Sequence, residues 1–244
     1  MSESQSEITE DHFLDGAMRL RQPARGYRAG ADAILLAAAI EAEPGDVLME
    51  AGCGAGAALI AAALALPAAR FVGVEREPGA VRLARENVAL NGLSARLEIV
   101  EGDALGAGPP VDGIFTNPPF DDEAGAQAPH PARRAAYLTE ASIDEWIKAL
   151  SNRLKGGAAL TLIQRAARLP EILAALEGRL GGAEVLPIRP RAEEPAKRVL
   201  VRARKGARAP LRLLKGLDLH DAAGGKFTPE AEAIFRGQAR VIWR

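Results

Sequence analysis

The sequence predicts an α/β protein built on one mostly parallel, doubly wound sheet with helices on both faces. Two observations carry this. Short β-prone runs (VLMEA, RFVGVE, ARLEIVEGD, VDGIFTN, AALTLIQ) recur along the chain and are interleaved with helical segments. The last two runs, AEVLPIRP and KRVLVRARK, are separated only by RAEEPA. That spacing permits a hairpin, so the last of seven strands is expected to be antiparallel.

The elements follow in order. The polar, acidic N-terminus MSESQSEITEDH is expected to be disordered over residues 1–12, with residues 13–244 forming a single domain. AMRLRQPARGYR alternates loosely and carries Pro23 and Gly26, which suggests a short hairpin. ADAILLAAAI reads as a helix from near Asp32, broken at Pro44-Gly45. VLMEA, 47–51, is a strand, GCGAG a loop, and the next helix stops at Pro67. RFVGVE, 70–75, is a strand, and PGAVRLARENVALNG, 78–92, a helix with apolar positions near a 3.6 period and Asn91-Gly92 as its stop. After two further strands and a loop over 121–136, SIDEWIKALSNRLKGG, 142–157, is a helix that opens with Ser142 and Glu145 as a capping box and closes on glycine. AALTLIQ is the fifth strand, and LPEILAALEGRLGG a helix with Pro170 near its first turn. At the end, Thr228 caps a short helix that begins at Pro229.

Composition narrows the function classes. Of 244 residues 48% are hydrophobic and 26% charged, ordinary values for a soluble globular protein, and the sparse aromatics (4%) leave alanine to fill the helices. The single cysteine, Cys53, forbids an internal disulfide and a zinc cluster, and His12, His130 and His220 are far apart, so no metal is expected. Cys53 reads as a small packing residue. The N-terminus lacks the character of a secretory signal, and the runs at 33–40 and 57–69 are too short to cross a bilayer, so a cytoplasmic protein without membrane contact is expected. The net charge is −1, but between Pro187 and Lys215 ten Lys or Arg face only Glu193 and Glu194, a local +8. Such a stretch reads either as a phosphate-binding face or as a charged, aggregation-resistant strand edge.

The first site candidate is EAGCGAG, 50–56, between a strand and a helix. Its glycines let a ligand approach the backbone, and the helix N-terminus beyond offers free N–H groups. The third glycine comes one residue earlier than in G-x-G-x-x-G, and Glu50 precedes the loop, where it would repel a pyrophosphate and attract a cation. S-adenosylmethionine, with a sulfonium and an ammonium, is such a ligand. Glu75 ends the next strand 23 residues after Gly52, about the spacing of an acid that holds ribose hydroxyls. Asp103 ends the third strand, where it can meet the adenine amino group. The alternative for Glu75 or Asp103 is a cap on a following helix.

The second is TNPPF, 116–120. Prolines behind a strand cannot extend a sheet, but they stiffen a loop and leave carbonyls projecting. The Asn117 side-chain oxygen and the Pro118 carbonyl are two acceptors that can face one –NH2 group, orient its lone pair toward an electrophile and draw it out of conjugation. Phe120 would stack on the planar group carrying that nitrogen. The alternative is an ordinary rigid turn with a buried Phe.

These residues resemble the Rossmann-like class I methyltransferases with an Asn/Asp-Pro-Pro-aromatic motif. Within that group the chain looks most like the bacterial tRNA (adenine-N6)-methyltransferases acting on the adenine beside the anticodon of a valine tRNA. YRAGADAILLAAA, EAGCGAG, VERE, NVALNGL, EGDAL and TNPPF follow in the family's order, and PAKRVLVRARKG and GGKFTPEAEAI resemble its C-terminal half. The resemblance implies S-adenosylmethionine as cofactor, held by Arg28, Asp32, Glu50, Gly52, Gly54, Glu75, Asp103, Ala104 and Asn117. It implies that Asn117, Pro118, Pro119 and Phe120 hold the target base, and that tRNA backbone meets the basic stretch 187–215, with Arg202 and Lys205 among its contacts. The 121–136 loop departs from the family in length and composition, and Arg133 and Arg134 within it read equally as phosphate contacts or solvated charges.

Other readings stay open at this level. Glutamine-N5 methylation of a protein presents the same –NH2 to the same acceptors; such enzymes usually add a helical domain before the core, where only about 40 residues stand here. DNA adenine methylation usually needs a target-recognition segment, and none is visible. A small-molecule O-methyltransferase leaves Asn117 without a purpose. A non-catalytic RNA-binding module leaves the intact glycine loop and acids without one.

Overall fold

Residues 47–51 and 111–116 are short, apolar and, apart from their leading residues, almost wholly buried, as strands covered by helices on both faces must be. They become two adjacent interior strands of the sheet. The computed structural model describes residues 8–24, 28–118, 141–221 and 225–244. In these the chain forms β1 (Ile8–Phe13), β2 (Met18–Pro23), α1 (Ala31–Ala38), β3 (Val47–Ala51), α2 (Ala57–Ala65), β4 (Arg70–Glu75), α3 (Pro78–Leu90), β5 (Leu97–Glu101) and β6 (Val111–Thr116). Then follow α4 (Ile143–Asn152), β7 (Leu154–Arg165), α5 (Leu169–Leu176), β8 (Leu180–Arg189), β9 (Arg198–Lys205), two-residue strands β10 (Arg212–Leu213) and β11 (Leu217–Asp218), and α6 (Pro229–Phe235).

The main sheet runs β5-β4-β3-β6-β7-β9-β8-β10, with β11 also on β8. β3 to β7 pair in parallel, while β9 is antiparallel to both β7 and β8. The hairpin expected across RAEEPA therefore forms. Alternation along the strands divides the core. Leu48, Phe115 and Ile163 face α1, α2, α3 and α6, whereas Met49, Ile114 and Leu162 face α4 and α5. Alanine makes the first layer thin: every residue from Ala57 to Ala63 is buried. A Cβ on Gly73 would stand 2.6 Å from Leu59 and 2.8 Å from Cys53 Sγ, so glycine there is what lets α2 lie this close to β4.

Several expectations are corrected. Ile8–His12, expected in a disordered tail, form a strand with Phe13, because Met18–Pro23 pairs with Ile8–Phe13 antiparallel along its whole length and satisfies its backbone. The hairpin lies accordingly earlier than AMRLRQPARGYR suggested. It is docked by two amides one helical turn apart, one on α3 and one at its C-terminal cap. Asn87 exchanges hydrogen bonds with the backbone of Arg21 and also donates to the Ala55 carbonyl, and Asn91 exchanges them with Arg19. The fifth strand starts at Leu154 rather than 158, and β10 and β11, too short for any periodicity, were not foreseen.

The basic stretch is also revised. Arg202 is only 7% exposed. Its guanidinium pairs with Glu184 at 2.6 Å and Glu41 at 2.7 Å and lies 4.3 Å from the Trp243 ring centroid. Lys205 donates to the Leu154 carbonyl, and Arg189, Arg191, Arg198 and Arg212 pair with Asp218, Glu194, Asp32 and Glu184. Half of the local +8 is thus offset by four acids outside the stretch, Asp32, Glu41, Glu184 and Asp218. Truncating a buried ion-pair partner strands the other charge. Arg202→Ala is expected to lower the unfolding free energy by about 3 kcal/mol, toward the low end for a buried pair because Arg212 still faces Glu184; urea denaturation measures it, and a loss below about 1 kcal/mol would mean the pair is effectively solvated.

Candidate functional site

The sheet reverses its order between β3 and β6. Open α/β sheets form their ligand crevice at such a point, beyond the carboxyl ends of the strands. Ala51 and Thr116 are register partners there, and the Thr116 hydroxyl donates to the Ala51 carbonyl at 2.8 Å. The next residue on one strand opens the glycine loop, and the next on the other is Asn117. The two sequence candidates are therefore neighbours across adjacent strands, although 65 positions separate their last strand residues in sequence.

The loop has the shape its glycines allow. Gly52, Gly54 and Gly56 all have positive φ (+71°, +54° and +89°), conformations that side-chain-bearing residues rarely adopt. The Gly52 and Cys53 N–H groups donate to the Val74 carbonyl, tying the loop to β4. Trp146 of α4 closes the other side of Gly52, its ring 3.7 Å from where a Cβ would stand. At Gly54 a Cβ would meet nothing within 4 Å, so the loop surface there is open to a ligand.

Glu75 joins this loop directly. One of its oxygens accepts the Gly54 N–H at 2.9 Å, and the other accepts the N–H groups of Arg76 and Glu77. It is not the helix cap; Glu77 is, accepting from Gly79 and Ala80. Asp103 follows β5, and its side chain accepts the Leu105 N–H within a turn, with no helix behind it. Ala104 is buried beside it.

Glu50 is the electrostatic centre of the site. It is 4% exposed, and its Oε2 has no hydrogen-bond partner. Burial pushes its carboxyl well above the ordinary range; the Leu59 N–H opposes this, and the Glu75 charge adds to it. Burial, with the same two carboxylates, also raises the Cys53 thiol, so Cys53 is a packed, un-ionised residue. A buried acid with an unsatisfied oxygen beside an open glycine loop fits a ligand that brings a positive charge. The donor set thus fits the ammonium and sulfonium of S-adenosylmethionine.

At the second corner, Asn117 is half-buried and Pro118 buried. The Pro118 carbonyl accepts from the Gln164 side chain at 3.1 Å. Pro119, Phe120, the 121–136 loop and its Arg133 and Arg134 lie outside the described residues. Arg28 and Asp32 are engaged within the protein: Arg28 with Asp11, Thr9 and the Pro23 carbonyl, Asp32 with Arg198. Sequence reasoning missed Asn87 and Gln164. Polarity at otherwise apolar helix and strand positions was the available signal. Among the described residues there is no cluster of His, Cys, Asp and Glu that could hold a metal ion, and no helix long and apolar enough to cross a membrane.

Residues 29–184 match the family model described as methyltransferase small domain. A crystal structure described as a predicted O-methyltransferase from Agrobacterium tumefaciens superposes with a TM-score of 0.72 at 30% identity, covering 86% of this chain and 98% of that one. The chain is 35% identical over 135 residues to a tRNA1(Val) (adenine(37)-N6)-methyltransferase of Actinobacillus succinogenes, covering 52% of this chain and 56% of that protein. It is 34% identical over 96 residues to a release factor glutamine methyltransferase of Chlorobaculum tepidum, covering 37% of this chain and 33% of that protein. The matched regions thus span about a third to a half of these curated relatives.

The raised Glu50 carboxyl sets a pH dependence. Its proton is held more tightly in the folded state than in the unfolded one, so its stability contribution is full below the ordinary glutamate value of 4.5 and is lost as pH rises toward and through the folded value. The ligand-free protein is expected to melt at progressively lower temperature as pH rises from about 5 to 8, and Glu50→Gln to flatten that slope while weakening S-adenosylmethionine binding at least tenfold, about 1.4 kcal/mol. Thermal melts with and without ligand read both effects. A variant that binds as tightly as the parent would remove the cationic-ligand assignment.

Proposed function

We propose that this chain, which belongs to the methyltransferase small domain family, transfers a methyl group from S-adenosylmethionine to the exocyclic N6 of an adenine in tRNA. What supports this reading above all is the adjacency of the Asn117–Pro118 corner and the glycine loop across the β3–β6 switch. The adenine-N6 methyltransferase of Actinobacillus succinogenes supports the choice of acceptor.

S-adenosylmethionine supplies an electrophilic methyl on a sulfonium. Glu50 and the Gly52–Gly54 backbone would hold the cationic amino-acid end, Glu75 the ribose hydroxyls and Asp103 the adenine. Arg28, Asp32, Ala104 and Asn117 complete the cofactor set by resemblance. The chain's own residues then act on the acceptor. The Asn117 side-chain oxygen and the Pro118 carbonyl accept the two N–H bonds of the amine, so its lone pair points away from them. As the nitrogen attacks the methyl, the methyl–sulfur bond breaks with its electron pair passing to sulfur, leaving a neutral thioether; positive charge grows on the nitrogen, and two fixed acceptors stabilise that charge more than they stabilise the neutral amine. The amine then loses a proton to solvent. No strongly basic side chain is needed, because most of the rate comes from position. Pro119 and Phe120 are assigned to the base by sequence alone.

The second reading is glutamine-N5 methylation of a protein, which the release factor relatives favour. A glutamine amide presents the same –NH2, so the corner by itself does not separate the two. Charge at the rim bears on the question. Lys197, exposed and without an ion pair among the described residues, stands at the crevice end of β9, its carbonyl accepting from Ala166. It replaces Arg202 as the candidate phosphate contact. A protein active on RNA acts in the cytoplasm, consistent with the composition.

Three outcomes are expected. Incubation with labelled S-adenosylmethionine and tRNA from a strain lacking the protein yields N6-methyladenosine on nucleoside analysis; label appearing only in a release factor would transfer the activity to the second reading. Asn117→Ala loses ~100-fold or more in kcat, the scale of losing one transition-state hydrogen bond, and far more than it loses in cofactor affinity; near-normal turnover would remove the acceptor role. Lys197→Ala weakens tRNA binding and lowers the slope of log affinity against log salt by about 1, whereas Arg202→Ala leaves that slope unchanged.

A further inference from the structure

Resting on that reading, we infer that Gln164 is a positioning residue for methyl transfer, its side-chain amide fixing the Pro118 carbonyl as an acceptor for the incoming amine. Gln164 is 5% exposed at the crevice end of β7. The register sets Thr116 against Leu162, so two residues further on Pro118 comes level with Gln164. There the Gln164 Nε2 donates to the Pro118 carbonyl at 3.1 Å. Its Oε1 accepts the Arg165 N–H at 2.7 Å. The second bond decides which end of the amide faces the proline: the oxygen is occupied by a backbone donor, so the amino end turns to the carbonyl.

The residue type is otherwise unexplained. Leu160 and Leu162, on the same face of β7, sit in the apolar core against α4 and α5. Position 164 continues that row, and an apolar side chain would fit its burial. A buried amide is costly unless both ends are bonded, and here both are. One of those bonds is spent on its own neighbour. The other reaches the one carbonyl that the acceptor corner depends on.

The placement has a mechanical reading. Proline locks φ, and a following proline confines ψ to the extended range. What freedom Pro118 retains is a swing of its carbonyl about ψ. The Gln164 bond removes that swing while occupying only one of the two oxygen lone pairs, leaving the other for the amine. A donor on the same oxygen weakens its basicity slightly, so the benefit is in position rather than in acceptor strength.

The test uses the full chain with tRNA. Gln164→Leu, nearly isosteric, is expected to fold with S-adenosylmethionine affinity and tRNA KM within about twofold of the parent, and to lose about 10- to 100-fold in kcat, the effect of a small misplacement at the reacting centre. Gln164→Glu adds a readout that a structural role would not move. Its neutral acid can donate to Pro118 as the amide does, and its carboxylate cannot. Its kcat should approach the parent's at low pH and fall relative to it as pH rises and the introduced carboxyl ionises. Unchanged kcat in Gln164→Leu, or a Gln164→Glu profile parallel to the parent's, overturns the inference. So does a Gln164→Leu protein that loses cofactor affinity along with kcat, since that marks a structural role. If the unsubstituted chain leaves tRNA adenine unmethylated in the same assay, the functional reading has failed and this inference falls with it; the parent's own activity tells the two failures apart.

Discussion

The hydrogen bond from the Thr116 hydroxyl to the Ala51 carbonyl sits at the point on which the rest of the site depends. It joins the carboxyl ends of two adjacent interior strands where their order reverses. Beyond it the two chains diverge, one into a left-handed glycine turn and the other into a proline-stiffened corner, and the space between is the crevice. Parallel register admits no slippage here, because a one-residue shift would turn the buried faces of β3 and β6 toward the wrong helix layers. The burial of Leu48 and Phe115 on one side and Met49 and Ile114 on the other therefore holds Gly52 and Asn117 side by side.

Around that junction the protein accepts unfavourable burial of polar groups and satisfies nearly all of it. Asn87 answers the hairpin backbone and the Ala55 carbonyl, Glu75 gathers three backbone donors, and Gln164 bonds at both ends. Glu50 stands apart from this pattern, with one oxygen unanswered. Buried polar groups that are fully bonded rigidify a fold, whereas one left open is a standing preference for a partner of opposite charge. The two kinds meet at Glu75, which is bonded to the glycine loop and whose charge acts on Glu50.

The C-terminal basic stretch shows how charge read along a sequence differs from charge on a surface. Ten cations against two acids over 187–215 look like a nucleic-acid face. Folding brings Asp32, Glu41, Glu184 and Asp218 to them from elsewhere in the chain. Strand β9 is internal to the sheet, and its Arg202 is drawn in between two carboxylates and the Trp243 ring. Lys197, just before β9, stays in water.

Local chemistry was enough to announce most of the architecture. Alternating β-prone and helical runs, the capping box at Ser142 and Glu145, the proline starts at 78 and 229 and the glycines at 52, 54 and 56 are short-range preferences that hold in any context, and each appears where the residues place it. The candidate loop, its two acids and the proline corner were legible for the same reason. Tertiary structure alone decided what depends on distant partners: that Ile8–Phe13 is a strand, that Glu50 is left unsatisfied, that Arg202 is buried, and that Gln164 reaches Pro118. Backbone propensity acts over a few residues and is written in them, whereas burial and pairing belong to groups brought together only when the sheet closes over its core.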